Sequence, residues 1–156
     1  MSGIRLGDIP DMDAICDLAT ELQEMSSYAG IEPDRQKFRL LVANMMGDKT
    51  SRVIVVVDDD DNPQGFLLGL VEEFFFSRRR FGTDIAVFVR DGHRHLAPRM
   101  YREFMRWVVT KPRVDRIMLA VSSGIGNPAR VGRMFNQLGL SSVGGIYMKE
   151  VSSCQA

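Results

Sequence analysis

Hydrophobic positions along the chain change period several times, and each change marks an element. Ile4 and Leu6 alternate with polar neighbours, the pattern of a short strand, and Asp8, Ile9 and Pro10 then open a helix carrying Asp11, Asp13 and Asp17 in its early turns. Acids there suit the positive end of the helix dipole. Ile15, Leu18, Leu22 and Met25 recur at helical spacing and are expected to face a core. Cys16 lies beside that stripe with no histidine or lysine near it in sequence, so it reads as a small buried hydrophobe and not a nucleophile. After a break at Tyr28, Ala29 and Gly30, Pro33 is placed in the first turn of a second helix, whose stripe is Phe38, Leu41, Val42 and Met45.

The period then shortens. Residues 53–57 are a continuous β-branched run, an acidic turn over 58–65 contains Pro63, and a second apolar run covers 66–76. Residues 77–82, with Arg78, Arg79 and Arg80, lead to a third strand over 84–89, giving a three-stranded antiparallel meander. From Pro98 the helical period returns, with Met100, Tyr101, Phe104, Trp107 and Val108 on one face and Arg99, Arg102 and Arg106 on the other. Residues 117–121 form a buried strand reached through 111–116, which makes a strand-helix-strand unit and hence a parallel pair. Asn127 and Pro128 cap a last helix that buries Val131, Met134, Phe135 and Leu138 and stops at Gly139, and residues 142–151 supply a final strand. No internal repeat or low-complexity linker interrupts the order, so one domain over residues 1–156 is expected.

Composition adds exclusions. The chain has 156 residues, 45% hydrophobic and 26% charged, the balance of an ordinary globular protein large enough to bury about two-thirds of its unfolded surface. Its apolar runs are too short to span a bilayer and its N-terminus lacks the basic and apolar regions of a signal peptide, so a cytoplasmic location and no membrane partner are expected. Cys16 and Cys154 have no metal-ligand spacing, and Asp58 to Asp61 lack the spaced ligands of a calcium loop. Two free thiols, a solvated acidic turn and no metal centre follow.

Charge is neutral in total but unevenly placed. Residues 1–65 carry 13 acidic and 6 basic side chains, whereas 66–156 carry 7 acidic and 14 basic. Eight arginines lie between Arg78 and Arg106 with His93 and His95, against Asp84, Asp91 and Glu103, a concentration suited to a phosphate-bearing ligand or to a solvated basic face.

Two stretches, residues 87–99 and residues 127–140, together with the element order, resemble the GNAT superfamily of acyl-CoA-dependent N-acetyltransferases over nearly the whole chain. The ending over 144–151 is similar to phage-encoded members. The resemblance implies an α/β fold with a GNAT-like mixed central sheet, an antiparallel N-terminal meander plus a parallel strand-helix-strand unit, and helices on both faces. It implies acetyl-CoA as co-substrate, held along Val87, Phe88 and Val89 and at a pyrophosphate loop containing Arg94, His95, Leu96, Ala97 and Arg99. A strand that delivers the chain to a helix N-terminus leaves amides unpaired for such a phosphate, here near His95 to Arg99. Arg94 fits the first position of the family's loop, while Ala97 and Arg99 stand where the family has small residues, and Pro98 lacks a donor. Asn127 and Phe135 fall at the family's later cofactor contacts. Phe135 occupies the place of a tyrosine that donates a proton in many members, which a phenyl ring cannot do. Core packing of Phe135 and an N-cap role for Asn127 are the competing readings.

Direct transfer of acetyl to a primary amine needs a base, because only the neutral amine attacks. Glu72, Glu73 and Asp84 are the carboxylates on the central strands, and alternation lets at most one of the adjacent pair point into a given cleft. The expected partner is a small-molecule or peptide amine, with a homodimer left open. The alternative is a non-catalytic protein of this fold that grips nucleic acid or an acidic partner with its basic face.

Overall fold

A computed structural model describes residues 2–121 and 123–151. Strand β1 (Gly3–Leu6) leads through a short 3-10 helix (Ile9–Asp11) into α1 (Met12–Met25) and α2 (Arg35–Gly47). Strands β2 (Ser51–Val57), β3 (Pro63–Glu73) and β4 (Arg80–Val89) follow. A second 3-10 helix (Asp91–Leu96) precedes α3 (Ala97–Val109), and β5 (Val114–Met118) and α4 (Pro128–Gln137) complete the order. The sheet runs β1-β2-β3-β4-β5, antiparallel throughout except for the parallel β4–β5 pair. This is the mixed α/β architecture expected from the hydrophobic pattern.

Strict alternation in β2 sends Val53, Val55 and Val57 to one face and Ile54 and Val56 to the other. The first set packs with Met12, Ile15, Cys16 and Leu18 of α1 and with Val42 and Met45 of α2. The second packs with Met100, Phe104, Trp107 and Val108 of α3 and with Phe135 of α4. One sheet thus serves two cores, with helices on both sides. Helix α3 lies so close that a methyl group on Gly69 would sit 2.2 Å from the Phe104 ring. The junction before α1 is pinned by charge: Arg5 donates to both carboxylate oxygens of the buried Asp11 (2.7 and 3.0 Å) and also bonds Asp61. Asp8 caps the first 3-10 turn with its side chain, as the run from Asp8 to Pro10 predicts.

Several boundaries differ from expectation. The second helix starts at Arg35 with Asp34 as its cap, so Pro33 lies outside it. Met25, the last residue of α1, is 52% exposed, and Leu41, at the margin of the α2 stripe beside the buried Val42 and Met45, is 39% exposed. Strand β3 ends at Glu73, and Phe74 to Phe76 occupy a turn instead of a strand; the Phe74 amide closes that turn onto the Arg79 carbonyl. Strand β4 begins at Arg80, and β5 covers Val114–Met118 instead of residues 117–121, since the parallel ladder stops at Thr83 and Met118. No strand forms over residues 142–151. Val143 and Tyr147 there are almost fully exposed, and the Gly144-Gly145 pair brings no side chains to pack. Cys154 lies outside the described residues, while Cys16 is buried, and burial pushes its thiol up from the ordinary range.

Candidate functional site

The parallel ladder between β4 and β5 ends after Thr83 and Met118, and beyond that point the two strands separate. The edge of β4 that faces β5 is left without a ladder partner just where a strand would normally be paired. A cavity of about 1350 Å³ fills the opening and runs through the sheet. Its walls come from α1 and the following loop (Thr20, Gln23, Tyr28), from β4 (Asp84 to Val89), from α3 (Tyr101) and from α4 (Arg130, Val131, Met134). A backbone bond from the Ser27 amide to the Ser123 carbonyl (2.8 Å) ties the loop after α1 to the loop after β5 and so joins two of those walls.

A β-bulge decides what the cavity contains. Leu68 faces Ala86 across the β3–β4 ladder but its neighbour Gly69 faces Asp84, so Ile85 is the extra residue. Without it Asp84 would share the face of Ala86 and Phe88, towards α1 and α2. The extra residue places Asp84 opposite Gly69, on the α3 side, where Tyr101 is found. Asp84 sits at the vertex of the opening and accepts a hydrogen bond from the Ala120 amide on the departing strand (3.3 Å). Burial lifts its carboxyl from 3.8 to about 6, against the opposing pull of that amide. Burial, with the Asp84 charge adding to it, also pushes the Tyr101 phenol well above its ordinary range.

The other two strand carboxylates are elsewhere. Glu72 and Glu73 are exposed at the far end of β3, outside the cavity, and Glu73 pairs loosely with Arg113 (3.5 Å). The cavity lining includes Val87, Phe88, Val89, Arg94, His95, Ala97 and Asn127, and leaves out Leu96, Arg99 and Phe135. Phe135 belongs to the core, edge-on to Tyr101 with ring centroids 5.1 Å apart, because its helical spacing with Val131 and Leu138 turns it towards α3. Asn127 caps α4 by accepting from the Ala129 amide (2.9 Å).

The expected phosphate loop has a different local form. Residues Asp91–Leu96 coil into a 3-10 helix that runs directly into α3, and the Ala97 amide donates to the Arg94 carbonyl, so the amides near Ala97 are not all free as the strand-to-helix reading expects. Arg94 is held by Asp91 (2.8 Å) and donates from Nε to the Val89 carbonyl (3.3 Å). Arg90 clamps Glu21 of α1 through two bonds and reaches Gln64 (3.0 Å), fixing the end of β4 against α1. Of the eight arginines in the basic band, Arg79, Arg90, Arg94 and Arg106 have carboxylate partners within the chain.

Tyr101 lines the cavity, whereas its place on the apolar face of α3 predicts a core side chain. The signal was its hydroxyl, which a core stripe must either bond or present to an opening. Arg130 and Arg133 of α4 also line the cavity.

No protein-family model and no curated protein sequence matches the chain. Solved structures do match. Glucosamine-6-phosphate N-acetyltransferase from Arabidopsis thaliana is similar at a TM-score of 0.72 and 13% identity, over 97% of this chain and 98% of its own. AAC(6')-Iy, in complex with the bisubstrate analogue CoA-S-monomethyl-acetylneamine, gives 0.72 and 13% over 97% and 99%. A GNAT family acetyltransferase from Staphylococcus aureus gives 0.64 and 13% over 97% and 100%. The chain has the GNAT acetyltransferase fold.

Proposed function

We propose that the protein is an acyl-CoA-dependent N-acetyltransferase that acetylates a primary amine by direct attack. The observation that carries this reading is the through-sheet cavity at the β4–β5 opening, with a carboxylate at its vertex. Acetyl-CoA would supply the activated acetyl group as co-substrate. The residues fit such a molecule in two respects: the edge of β4 over Val87 to Val89, which has no ladder partner among the described residues, can bond an extended amide-bearing arm, and Arg94, Arg130 and Arg133 border the cavity with positive charge beside His95. Arg94 must exchange Asp91 for a phosphate to take part.

Asp84 is the base. Near neutral pH it is mostly ionised yet still basic enough to accept the proton that the attacking amine gives up, directly or through one water. The amine nitrogen forms a bond to the acetyl carbon, the carbon–sulfur bond breaks, and the sulfur leaves with the bonding pair and takes up a proton. Phe135 supplies none, being a buried hydrocarbon outside the cavity. Tyr101 lines the cavity beside Asp84.

Calorimetry with acetyl-CoA and CoA tests the reading first. Saturable binding that persists at moderate salt supports it, and thiol release across a panel of amines then identifies the acceptor. Absence of binding to either compound rejects acyl transfer and leaves a binding protein of the same fold.

A further inference from the structure

The turn between β3 and β4 presents three consecutive phenylalanines, followed by Ser77 and three consecutive arginines. Phe75 is 100% exposed and Phe76 72%, although each is among the most costly side chains to leave in water. They are held there by structure. The Phe74 amide bonds the Arg79 carbonyl (3.0 Å), the Ser77 amide bonds the Phe74 carbonyl (3.1 Å), and the Arg79 amide bonds the Ser77 hydroxyl (3.1 Å). The rings lean on one another, Phe75 edge-on to Phe76 at 5.0 Å and Phe74 against Phe76 at 5.3 Å and Phe81 at 4.8 Å, so they form one contiguous apolar knob.

The charge behind the knob is positive. Arg79 is paired with Asp115, and Arg113 with Glu73. Among the described residues, that leaves the guanidiniums of Arg78, Arg80 and Arg116 at this end of the sheet without a carboxylate partner, with the carboxylate of Glu72 nearby. We propose that this hairpin tip is a docking surface for an anionic lipid bilayer, with Phe75 and Phe76 entering the acyl-headgroup boundary and Arg78 and Arg80 meeting lipid phosphates or carboxylates. A convex knob with a basic collar suits a deformable apolar medium under a negative surface. It does not suit a second copy, which would bring arginines against arginines. Nor does it suit single-stranded nucleic acid, which stacks on separated rings along a basic groove, whereas these rings stack on each other. The apolar-run length that excludes a membrane span places no limit on a tip of this kind. It lies at the start of β4, whereas the cavity begins at Asp84 and opens towards the strand's other end, so docking leaves the candidate site accessible and is independent of acetyl transfer.

The test is co-sedimentation of the full chain with vesicles of phosphatidylcholine alone and of phosphatidylcholine mixed with phosphatidylserine. The mixed vesicles should bind the protein about tenfold or more tightly than the neutral ones, with salt releasing it. The double variant Phe75→Ser/Phe76→Ser and the single variant Arg78→Glu should each lose about tenfold in partitioning. Both alter exposed side chains only, and unchanged circular dichroism and thermal unfolding confirm that they fold. As a second readout, Phe75→Trp adds an exposed indole to the buried Trp107, and its emission should shift to the blue and be quenched by brominated lipid. Wild-type protein that fails to bind the mixed vesicles, a double variant that binds as well as wild type, or an unmoved Phe75→Trp emission overturns the proposal. So does binding of single-stranded RNA, or self-association, through this tip in the absence of vesicle binding.

Discussion

Asp84→Asn separates the chemistry of the cavity vertex from its packing, because the amide keeps the shape and the carbonyl that accepts from Ala120 but cannot ionise. The folded protein raises the Asp84 carboxyl from 3.8 to about 6, chiefly by burial. Between those pH values the folded chain holds a proton that the unfolded chain has released. The unfolded state therefore binds fewer protons, and this residue makes wild-type stability fall as pH rises through that window and then level off. The rise corresponds to up to about 3 kcal/mol of lost stability at neutral pH. The variant carries no such penalty. Its unfolding free energy, from urea titrations at several pH values, should match wild type below the window, gain steadily across it and exceed wild type by up to about 3 kcal/mol above. At saturating co-substrate its turnover should fall by about a hundredfold and lose the inflection near the folded carboxyl value, with acetyl-CoA affinity unchanged. A stability difference that is absent, or that does not change with pH, would refute the burial reasoning. Near-normal turnover would refute Asp84 as the base.

Four further outcomes follow from the packing and the charge pairs. Gly69→Ala should destabilise the fold by about 1–3 kcal/mol in chemical denaturation, since its methyl group would overlap the fully buried Phe104 ring. Phe135→Tyr should lower stability by about 1–3 kcal/mol, because the new hydroxyl has to find a partner in the core, and should leave turnover unchanged. Arg94→Ala should weaken binding of CoA more than binding of dephosphorylated pantetheine in calorimetry; equal losses would remove Arg94 from the phosphate site. Arg5→Ala should destabilise by about 3 kcal/mol at neutral pH by leaving the Asp11 carboxylate buried without its guanidinium partner. Arg5 holds that carboxyl below its ordinary range, so the pair's stabilisation is present above the unfolded carboxylate value and is lost as pH falls through the lower folded one. The gap between Arg5→Ala and wild type should therefore narrow in acid.

Element order was legible in the sequence because it rests on local properties: the continuous β-branched run of residues 53–57 and the helical spacing of apolar residues from Met100 to Val108 can each be read within one element. The capped starts at Asp8 and Asn127 were legible for the same reason. The length of β3 was not, since three phenylalanines read as strand until the Phe74 amide is seen to close a turn on Arg79. The strand expected over residues 142–151 does not form: its apolar side chains, Val143 and Tyr147 among them, stay exposed on either side of Gly144 and Gly145 and pack against nothing that would hold a strand in place. The site depended most on tertiary structure. Asp84, Glu72 and Glu73 are equivalent as strand carboxylates, and composition gives no order among them. One extra residue at Ile85 turns Asp84 towards α3, and the end of the ladder at Thr83 opens the space in front of it. Both are relations between strands, set by register across hydrogen bonds from distant parts of the chain. No pattern within a single segment encodes them.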